Sequence, residues 1–476
     1  MGESTLPATL DAGYELTLDA PKNAPVDTPE VKGGQAQDAD IGGEAAAQPL
    51  DILDALKAIQ GMSASEYNSA VSGCRFFRLA FQQPTNHQIP AGPSFEQRMA
   101  LIHCSPSAPT ILGSTGYELF DETIQWELTA MLGANQLIVE HRFYDQSIPA
   151  SPTWTDLTIQ QAAADHHRIV MAIRPLYTGK WLSTGASKGG MTSVYHRRFY
   201  PDDVDGTVAY VAPRIDGVED ARFSPFLEQV GDADCRAKIK TFQREALLRR
   251  PAMLTRMADL SAQNNFTYQR LGVEQAFEFA VTELWFLFWQ YSDVTECPNI
   301  PASTATDDDV FQFLNKISSF EWMADTWLDL FNPYFYQTAT QLGAPKQADA
   351  HLVDLLKYPG MDAPAAYCLP AWTTVFDPTA IEDIQNWLSR EGQRIMFIYG
   401  QNDPWSAAPY ELGNASDSYR FWVPNGNHGS QLSDLSQPDY AQAQAALERW
   451  SGAKPKLSAP APLVIKAKPH HVRHPL

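Results

Sequence analysis

No stretch of this 476-residue sequence is apolar for long enough to cross a membrane. The most apolar segment, residues 277–291, is shorter than the roughly 20 residues that a spanning helix needs. It also contains Glu278 and Glu283. The N-terminus lacks the basic start and the apolar run of a signal peptide. We therefore expect a protein without a membrane span.

Basic residues are few. The chain has 35 Lys and Arg against 56 Asp and Glu, which gives a formal net charge of −21. Binding to nucleic acid or to an anionic membrane needs clustered positive charge, so the composition disfavours both classes of partner. We interpret the acidity as a solubility feature rather than as a means of attracting cationic substrates.

Cysteine is sparse as well, and none of the five residues lies in a CxxC or Cys/His metal-binding pattern. We predict no metal site and no cofactor. In an exported protein the five thiols permit two disulfides and one free thiol, and the pairing stays open. Residues 1–50 are rich in Ala, Gly, Pro and acidic residues, as in the linker of a secreted or cell-envelope exported protein whose signal has been removed. The cysteines are Cys74, Cys104, Cys235, Cys297 and Cys368.

Apolar and aromatic side chains, in contrast, make up 44% and 11% of the chain, enough for a large core. Short apolar strands alternate with amphipathic helices over residues 74–213 and again over 380–452, which is typical of βαβ units and a parallel sheet. Aromatic-rich helical segments without a buried strand lie between them. The predicted division is a flexible tail (1–55), an α/β core (56–214 and 376–453), a helical cap (215–375) and a C-terminal tail (454–476).

Residues 185–189 read Gly-Ala-Ser-Lys-Gly and match the pattern G-x-S-x-G. A plausible strand precedes Ser187 and a plausible helix follows it, which is the context that the pattern requires. The serine must occupy a strained turn in which flanking side chains would clash, and this accounts for both glycines. Ser187 is therefore predicted to be the nucleophile of a serine hydrolase. The alternative is a glycine-rich helix cap with an incidental serine.

A serine hydroxyl needs a base, and the base needs an orienting carboxylate. Asp403 follows the apolar strand at 393–400, and His428 follows the strand at 418–424. This is the order of nucleophile, acid and histidine in the α/β-hydrolase fold. Simple turn chemistry at Asp403 and a surface-loop histidine are the alternatives. Together the three residues predict an α/β-hydrolase core with the helical cap inserted between nucleophile and acid.

The oxyanion hole should draw one backbone N–H from the residue after the nucleophile and a second from a loop after an earlier strand. The first is Lys188. The Gly-rich loop 113–117 is the best candidate for the second, from Gly116 or Tyr117. An ordinary Gly-rich turn is the alternative for that loop.

Several segments resemble the bacterial secreted tripeptidyl aminopeptidase family. They are VEHRFYDQSIP (139–149), the region 180–213 around the strained turn of Ser187 (the nucleophile elbow), GQNDPWSA around Asp403 and NHGS around His428. The resemblance extends over roughly 60–450. The resemblance implies an α/β-hydrolase core, a helical cap and a triad of Ser187, Asp403 and His428. It also implies peptide substrates, from whose free N-termini tripeptides are released with a preference for proline. The reaction would proceed through an acyl-enzyme and without a cofactor.

Such an exopeptidase must bind the charged α-amine of its substrate, and this requires a carboxylate at a fixed reach from the nucleophile. Candidates are Glu140, Glu283 and Glu296. Glu140 could instead form a buried structural ion pair within its Glu-His-Arg sequence. The choice among the three carboxylates stays open at this point.

An apolar wall for a proline ring could come from Trp285, Trp289 and Tyr291, although aromatic residues at helical spacing often belong to a core.

Two other functions are compatible with part of the pattern. An esterase or lipase-like acyl hydrolase would use the same triad. A non-catalytic binding protein is disfavoured, because nucleophile, acid and base are all present.

Overall fold

The structure, a computed structural model, describes residues 50–119 and 122–456. Most of both predicted tails, 1–49 and 457–476, lies outside these residues. Residues 52–55 were expected to belong to the flexible tail and instead form part of a helix, Ile52–Lys57. This helix begins there because the Asp51 carboxylate accepts a hydrogen bond from the Leu53 N–H at 2.9 Å. Leu56, with no exposed surface, anchors it to the core.

Nine strands form one sheet within the described residues, in the order β1-β2-β3-β5-β4-β6-β7-β8-β9. The pairs β1–β2, β2–β3 and β3–β5 are antiparallel, and all later neighbours are parallel. The sheet is thus mostly parallel, as the sequence predicts. The strands are β1 (Met62–Tyr67), β2 (Arg75–Pro84), β3 (Ser94–His103), β4 (Thr110–Ser114), β5 (Asn135–Val139), β6 (Trp181–Ala186), β7 (Gly206–Tyr210), β8 (Ile395–Gly400) and β9 (Tyr419–Val423).

The helices of the described chain cover both faces of this sheet and fill the interval between β7 and β8. They are α1 (Ile52–Lys57), α2 (Glu127–Leu132), α3 (Ile159–Ile173), α4 (Lys188–Phe199), α5 (Phe223–Leu227), α6 (Ala233–Leu248), α7 (Arg250–Asn264), α8 (Val273–Tyr291), α9 (Asp307–Ile317), α10 (Asp325–Leu330), α11 (Asn332–Gln337), α12 (Pro364–Tyr367), α13 (Thr379–Glu391) and α14 (Gln437–Ser451). In this part of the chain no helix is long and apolar enough to cross a membrane.

The parallel strands are buried on both faces because successive side chains point to opposite sides. In β8, Met396 and Ile398 pack in a cluster with α2 and α14, whereas Phe397 and Tyr399 pack in a cluster with α4 and α13. Parallel strands all end at the same edge of the sheet. The loops after β4, β6, β8 and β9 therefore meet at one edge, which is where the functional side chains of such folds lie.

The segment between β7 and β8 is helical, and its helices have an apolar cluster of their own that includes Phe242, Phe277 and Phe320. One disulfide, Cys235–Cys297, joins the start of α6 to the turn after α8. The second disulfide, Cys74–Cys104, joins the residues that flank β2 and β3. Cys368 is free and buried. The sequence permits two disulfides and one free thiol, and the structure supplies the pairing that the sequence left open.

Candidate active site

Ser187 occupies the strained turn that the sequence predicts for it. It lies between β6 and α4 with φ 55° and ψ −126°, a conformation that non-glycine residues rarely adopt. Gly189 cannot carry a side chain, because a Cβ there would lie 2.2 Å from the Ser114 carbonyl oxygen. Ser187 is the N-cap residue of α4, but its hydroxyl makes no capping hydrogen bond to the helix. The hydroxyl is therefore left available for chemistry.

Asp403 and His428 form a buried pair at the same edge of the sheet. The His428 Nδ1–H donates to Asp403 Oδ2 at 2.7 Å, and both side chains are at least 99% buried. The other carboxylate oxygen, Oδ1, accepts a hydrogen bond from the Trp405 N–H at 3.1 Å. With Nδ1 engaged in this way, His428 Nε2 is the basic nitrogen, and it has no hydrogen-bond partner among the described residues.

The C-terminal end of α8 holds the loop that carries His428. The His428 backbone N–H donates to the Gln290 carbonyl oxygen at 3.1 Å. The Asn427 side-chain amide donates to the Ser292 carbonyl oxygen at 3.1 Å. The helical segment is thus hydrogen-bonded directly to the loop that carries His428, and a movement of α8 would move this side chain.

Ser187 and His428 face one cavity of about 550 Å³, large enough for a small peptide. Aromatic rings form a continuous arc along its wall from the histidine to the loop after β4. Neighbouring ring centroids along the arc lie 4.5–6.4 Å apart. The arc consists of His428, Tyr291, Trp322, Trp327, Phe331 and Tyr117.

Lys188 fixes the loop after β4 through its side chain. The side chain is buried, and its Nζ donates a hydrogen bond to the Gly116 carbonyl oxygen. The Nζ also lies 5.3 Å and 5.1 Å from the ring centroids of Tyr117 and Tyr144. Burial lowers the pKa of Lys188 well below its ordinary value. The amino group of Lys188 therefore holds this loop against the turn that carries Ser187.

Gly116 touches the elbow so closely that no other residue fits. Its φ is +76°, and a Cβ would lie 2.4 Å from the Gly189 N. Gly116→Ala should lower the free energy of unfolding by about 1–3 kcal/mol and lower kcat by about tenfold or more, because the loop must move away from Ser187. Gly217→Ala is the control, since nothing lies within 4 Å of its Cβ position. Thermal unfolding and steady-state kinetics of the two variants test this expectation, and wild-type kcat in Gly116→Ala would contradict it.

Of the three predicted amine-binding carboxylates, only Glu283 lines the cavity. The Tyr367 hydroxyl lies 3.0 Å from Glu283 Oε1 and 2.6 Å from Asp362 Oδ1. The Thr282 hydroxyl donates to Asp362 Oδ2 at 2.7 Å. Burial raises the pKa of Glu283 and of Asp362, and the nearby Asp362 charge raises that of Glu283 further. Both effects favour the protonated form of the pair when no cation lies beside it.

Glu140 does not reach the cavity. It has no exposed surface, and it accepts hydrogen bonds from the Leu119 N–H at 2.8 Å and from the Ser147 hydroxyl at 2.7 Å. Burial raises the pKa of Glu140 to about 7. The ion pair of this region joins Arg142 to Asp165 instead, at 2.7 Å. Glu140 is therefore neither an amine site nor the partner of Arg142, and it orders the loop after β4.

The other candidates are also engaged elsewhere. Glu296 forms an ion pair with Lys316 and does not line the cavity. Trp289 has no exposed surface and belongs to the core of the helical segment. Trp285 lies in the same core and packs edge-on against His351. Tyr291 is the one ring of the predicted wall that lines the cavity.

Other cavity residues carry no signal in the sequence. Asp362 and Tyr367 lie in the segment YPGMDAPAAY, which is indistinguishable from ordinary turn chemistry. Glu118 also lines the cavity, and one of its carboxylate oxygens is buried without a partner among the described residues. The cavity thus holds three carboxyl groups. Lys188, already bonded to Gly116, is its only Lys or Arg within the described chain.

The sheet order, the strained serine after β6 and the later Asp–His pair define an α/β hydrolase. The chain belongs to the PS-10 peptidase S37 family, whose profile matches residues 45–469. It is 39% identical over 415 residues to the prolyl tri/tetrapeptidyl aminopeptidase of Streptomyces mobaraensis, a match that covers 86% of this chain and 87% of that protein. It is 27% identical over 179 residues to the lysosomal Pro-X carboxypeptidase of Mus musculus, covering 33% and 36%. These matches confirm the resemblance seen in the sequence and make the chain a serine peptidase.

Proposed function

We propose that this peptidase releases tripeptides, with proline before the cleaved bond, from free N-termini, and that Ser187, Asp403 and His428 are its triad. The observation that carries the proposal is the cavity itself. It brings a strained serine and an oriented histidine together with carboxyl groups that lack a cationic partner. A substrate ammonium would supply the missing charge.

The reaction follows from the positions of the polar atoms. His428 Nε2 takes the Ser187 hydroxyl proton as the serine oxygen attacks the carbonyl carbon of the third residue. The developing oxyanion is stabilised by hydrogen-bond donors at the start of α4, including the Lys188 N–H. His428 then protonates the leaving amine, and water hydrolyses the acyl-enzyme by the reverse transfers. Asp403 stabilises the imidazolium throughout.

We propose that the substrate α-ammonium binds at Glu283 and Asp362. An extended tripeptide spans about 10 Å, so its amine must bind away from the serine, on the walls of the helical segment rather than at the elbow. Glu283 is on α8, and Asp362 precedes α12. An ammonium between them would favour the ionised form of both carboxyl groups. We infer on the same ground that segment 215–375 acts as a cap over the core 56–214 and 376–453.

The aromatic arc from Tyr291 to Tyr117 is the proposed site for the proline ring. Proline offers a compact apolar ring that packs well on aromatic faces. The arc begins at the base and ends at the loop beside the nucleophile, so a residue held against it presents its carbonyl to Ser187. Two disulfides in the described chain support an oxidising compartment, and we propose that the protein is exported.

An esterase using the same triad is the alternative. Ala-Ala-Pro p-nitroanilide and p-nitrophenyl acetate should be compared at equal enzyme concentration, with peptide products identified by mass spectrometry. We expect kcat/KM for the peptide to exceed that for the ester by about 100-fold or more, since only the peptide uses the distant binding groups. We also expect the intact tripeptide as the released product. A higher kcat/KM for the ester, with no tripeptide formed, would favour the esterase.

A further inference from the structure

The side chain of Tyr117 is held rigidly beside Ser187. Its ring packs edge-on against Tyr144 at 5.7 Å between centroids, and at a tilt against Phe331 and Tyr334 at 5.8 Å and 6.0 Å. The Lys188 Nζ lies 5.3 Å from the centroid of the same ring. A phenol fixed on several sides cannot swing away, so the position of its hydroxyl is set before substrate binds.

The hydroxyl and the backbone N–H of Tyr117 have different partners. The backbone N–H donates to its own turn, to Thr115 Oγ1 at 3.2 Å. The Thr115 hydroxyl in turn donates to the Tyr117 carbonyl oxygen at 2.6 Å. The phenolic hydroxyl interacts with Ser187, the proposed nucleophile, and both residues line the cavity. The sequence suggests a backbone donor at this position, but the backbone donor is already engaged.

We propose that the Tyr117 hydroxyl, rather than its backbone N–H, is the second donor to the oxyanion, beside the Lys188 N–H. The inference rests on the proposed role of Ser187 as nucleophile. When Ser187 Oγ bonds to the carbonyl carbon, its proton moves to His428 Nε2. The π pair of the carbonyl moves onto oxygen, and the Tyr117 hydroxyl donates a hydrogen bond to that oxyanion. Tyr117 keeps its proton throughout, and the oxyanion reverts to a carbonyl when the leaving amine departs.

The surroundings keep this phenol in the donor form. Burial raises the pKa of Tyr117 well above its ordinary value, and the nearby phenols of Tyr334 and Tyr291 raise it further. The Tyr117 hydroxyl is therefore kept in its neutral, donating form.

Tyr117→Phe tests the proposal, because it removes the hydroxyl and leaves the backbone N–H in place. We expect kcat on Ala-Ala-Pro p-nitroanilide to fall by about 100-fold, with KM changed by about threefold at most. The peptide aldehyde Ala-Ala-prolinal forms a tetrahedral adduct whose oxygen mimics the oxyanion. Its Ki should rise by about the same factor as kcat/KM falls. The Ki of the product Ala-Ala-Pro, whose carboxylate is planar and forms no tetrahedral oxyanion, should change by about threefold at most.

Tyr144→Phe is the matched control. Tyr144 packs against the Tyr117 ring, and its hydroxyl is buried without a partner among the described residues. We expect kcat in this variant within about twofold of wild type. If Tyr117→Phe keeps more than about a third of wild-type kcat and an unchanged ratio of aldehyde Ki to product Ki, the backbone N–H is the donor and the proposal is overturned. The Ki ratio gives this answer even if the variant is less stable, because both ligands bind only the folded fraction.

The outcome is independent of peptide specificity. An ester substrate passes through the same oxyanion, so Tyr117→Phe should also lower kcat on p-nitrophenyl acetate by about 100-fold. Failure of the exopeptidase proposal would appear as equal cleavage of free and N-acetylated peptides. Failure of the Tyr117 proposal would appear as unchanged aldehyde binding. The two results can be obtained separately on the same protein.

Discussion

Ser187→Ala is expected to lower kcat by on the order of 10⁴-fold or more while the protein stays folded. The reason is that the Ser187 hydroxyl oxygen is the proposed attacking atom, and the strained turn presents it to the cavity that His428 also lines. Release of p-nitroaniline and covalent labelling by a fluorophosphonate measure the loss, and both should vanish together. Ser193→Ala is the matched control on the same helix. Its hydroxyl donates only to the Gly189 carbonyl oxygen, at 3.0 Å, so labelling should persist.

Asp403→Asn and His428→Ala should be nearly as damaging, and a double variant with Ser187→Ala should be no worse than Ser187→Ala alone. The three side chains act as one unit, so removal of one leaves the others without a function. A fluorophosphonate adduct formed by Ser187→Ala would contradict the assignment of the nucleophile. A fully active His428→Ala enzyme would contradict that of the base. His351 cannot replace His428 as the base, because its Nε2 is hydrogen-bonded to Gln243 Oε1 at 2.9 Å and it does not line the cavity.

The sequence predicts the proposed triad because each of its members follows a strand. In a parallel sheet all strand ends lie at one edge, so sequence position fixes the spatial neighbourhood of Ser187, Asp403 and His428. His428 Nδ1 lies 2.7 Å from Asp403 Oδ2, and His428 and Ser187 line one cavity. The strong alternation of short apolar strands and helices predicts the sheet for the same reason: local periodicity is enough to define its elements.

The residues of the cavity wall could not be predicted from the sequence in this way. Glu283 and Asp362 meet through tertiary packing across 79 residues of helical segment, and no local pattern encodes that meeting. Helical periodicity predicts that Trp289 and Tyr291 lie on one helix. It does not indicate that Trp289 enters the core and that Tyr291 lines the cavity. Glu140 was misleading for a related reason. A glutamate beside histidine and arginine suggests an ion pair, whereas its partners are an amide and a hydroxyl brought in by the loop after β4.

Acetylation of the substrate N-terminus should reduce kcat/KM by about 100-fold. The acetyl group removes the positive charge and leaves the Glu283–Asp362 pair buried without the partner that it binds in the free-amine complex. Ala-Ala-Pro p-nitroanilide and its N-acetyl derivative differ only in this group, so the ratio of their kcat/KM values measures amine recognition alone. Because protonation of the pair removes its charge, and burial raises the pKa of both carboxyls, the ratio should also shrink as the pH is lowered.

Glu283→Gln and Asp362→Asn should bring this ratio close to one, mainly by slowing cleavage of the free-amine peptide, because the charge that distinguishes the two substrates is then absent. Glu296→Gln should leave the ratio unchanged, since that carboxylate pairs with Lys316 outside the cavity. Glu118→Gln tests the third carboxyl group of the cavity, because one Glu118 oxygen is buried without a partner among the described residues. Loss of the ratio in Glu118→Gln alone would move the amine site next to the elbow, too close for a tripeptide, and would contradict the assignment to Glu283. Equal rates on both peptides in the wild-type enzyme would reject amine recognition altogether and favour the esterase, while the Ser187 labelling result would stand.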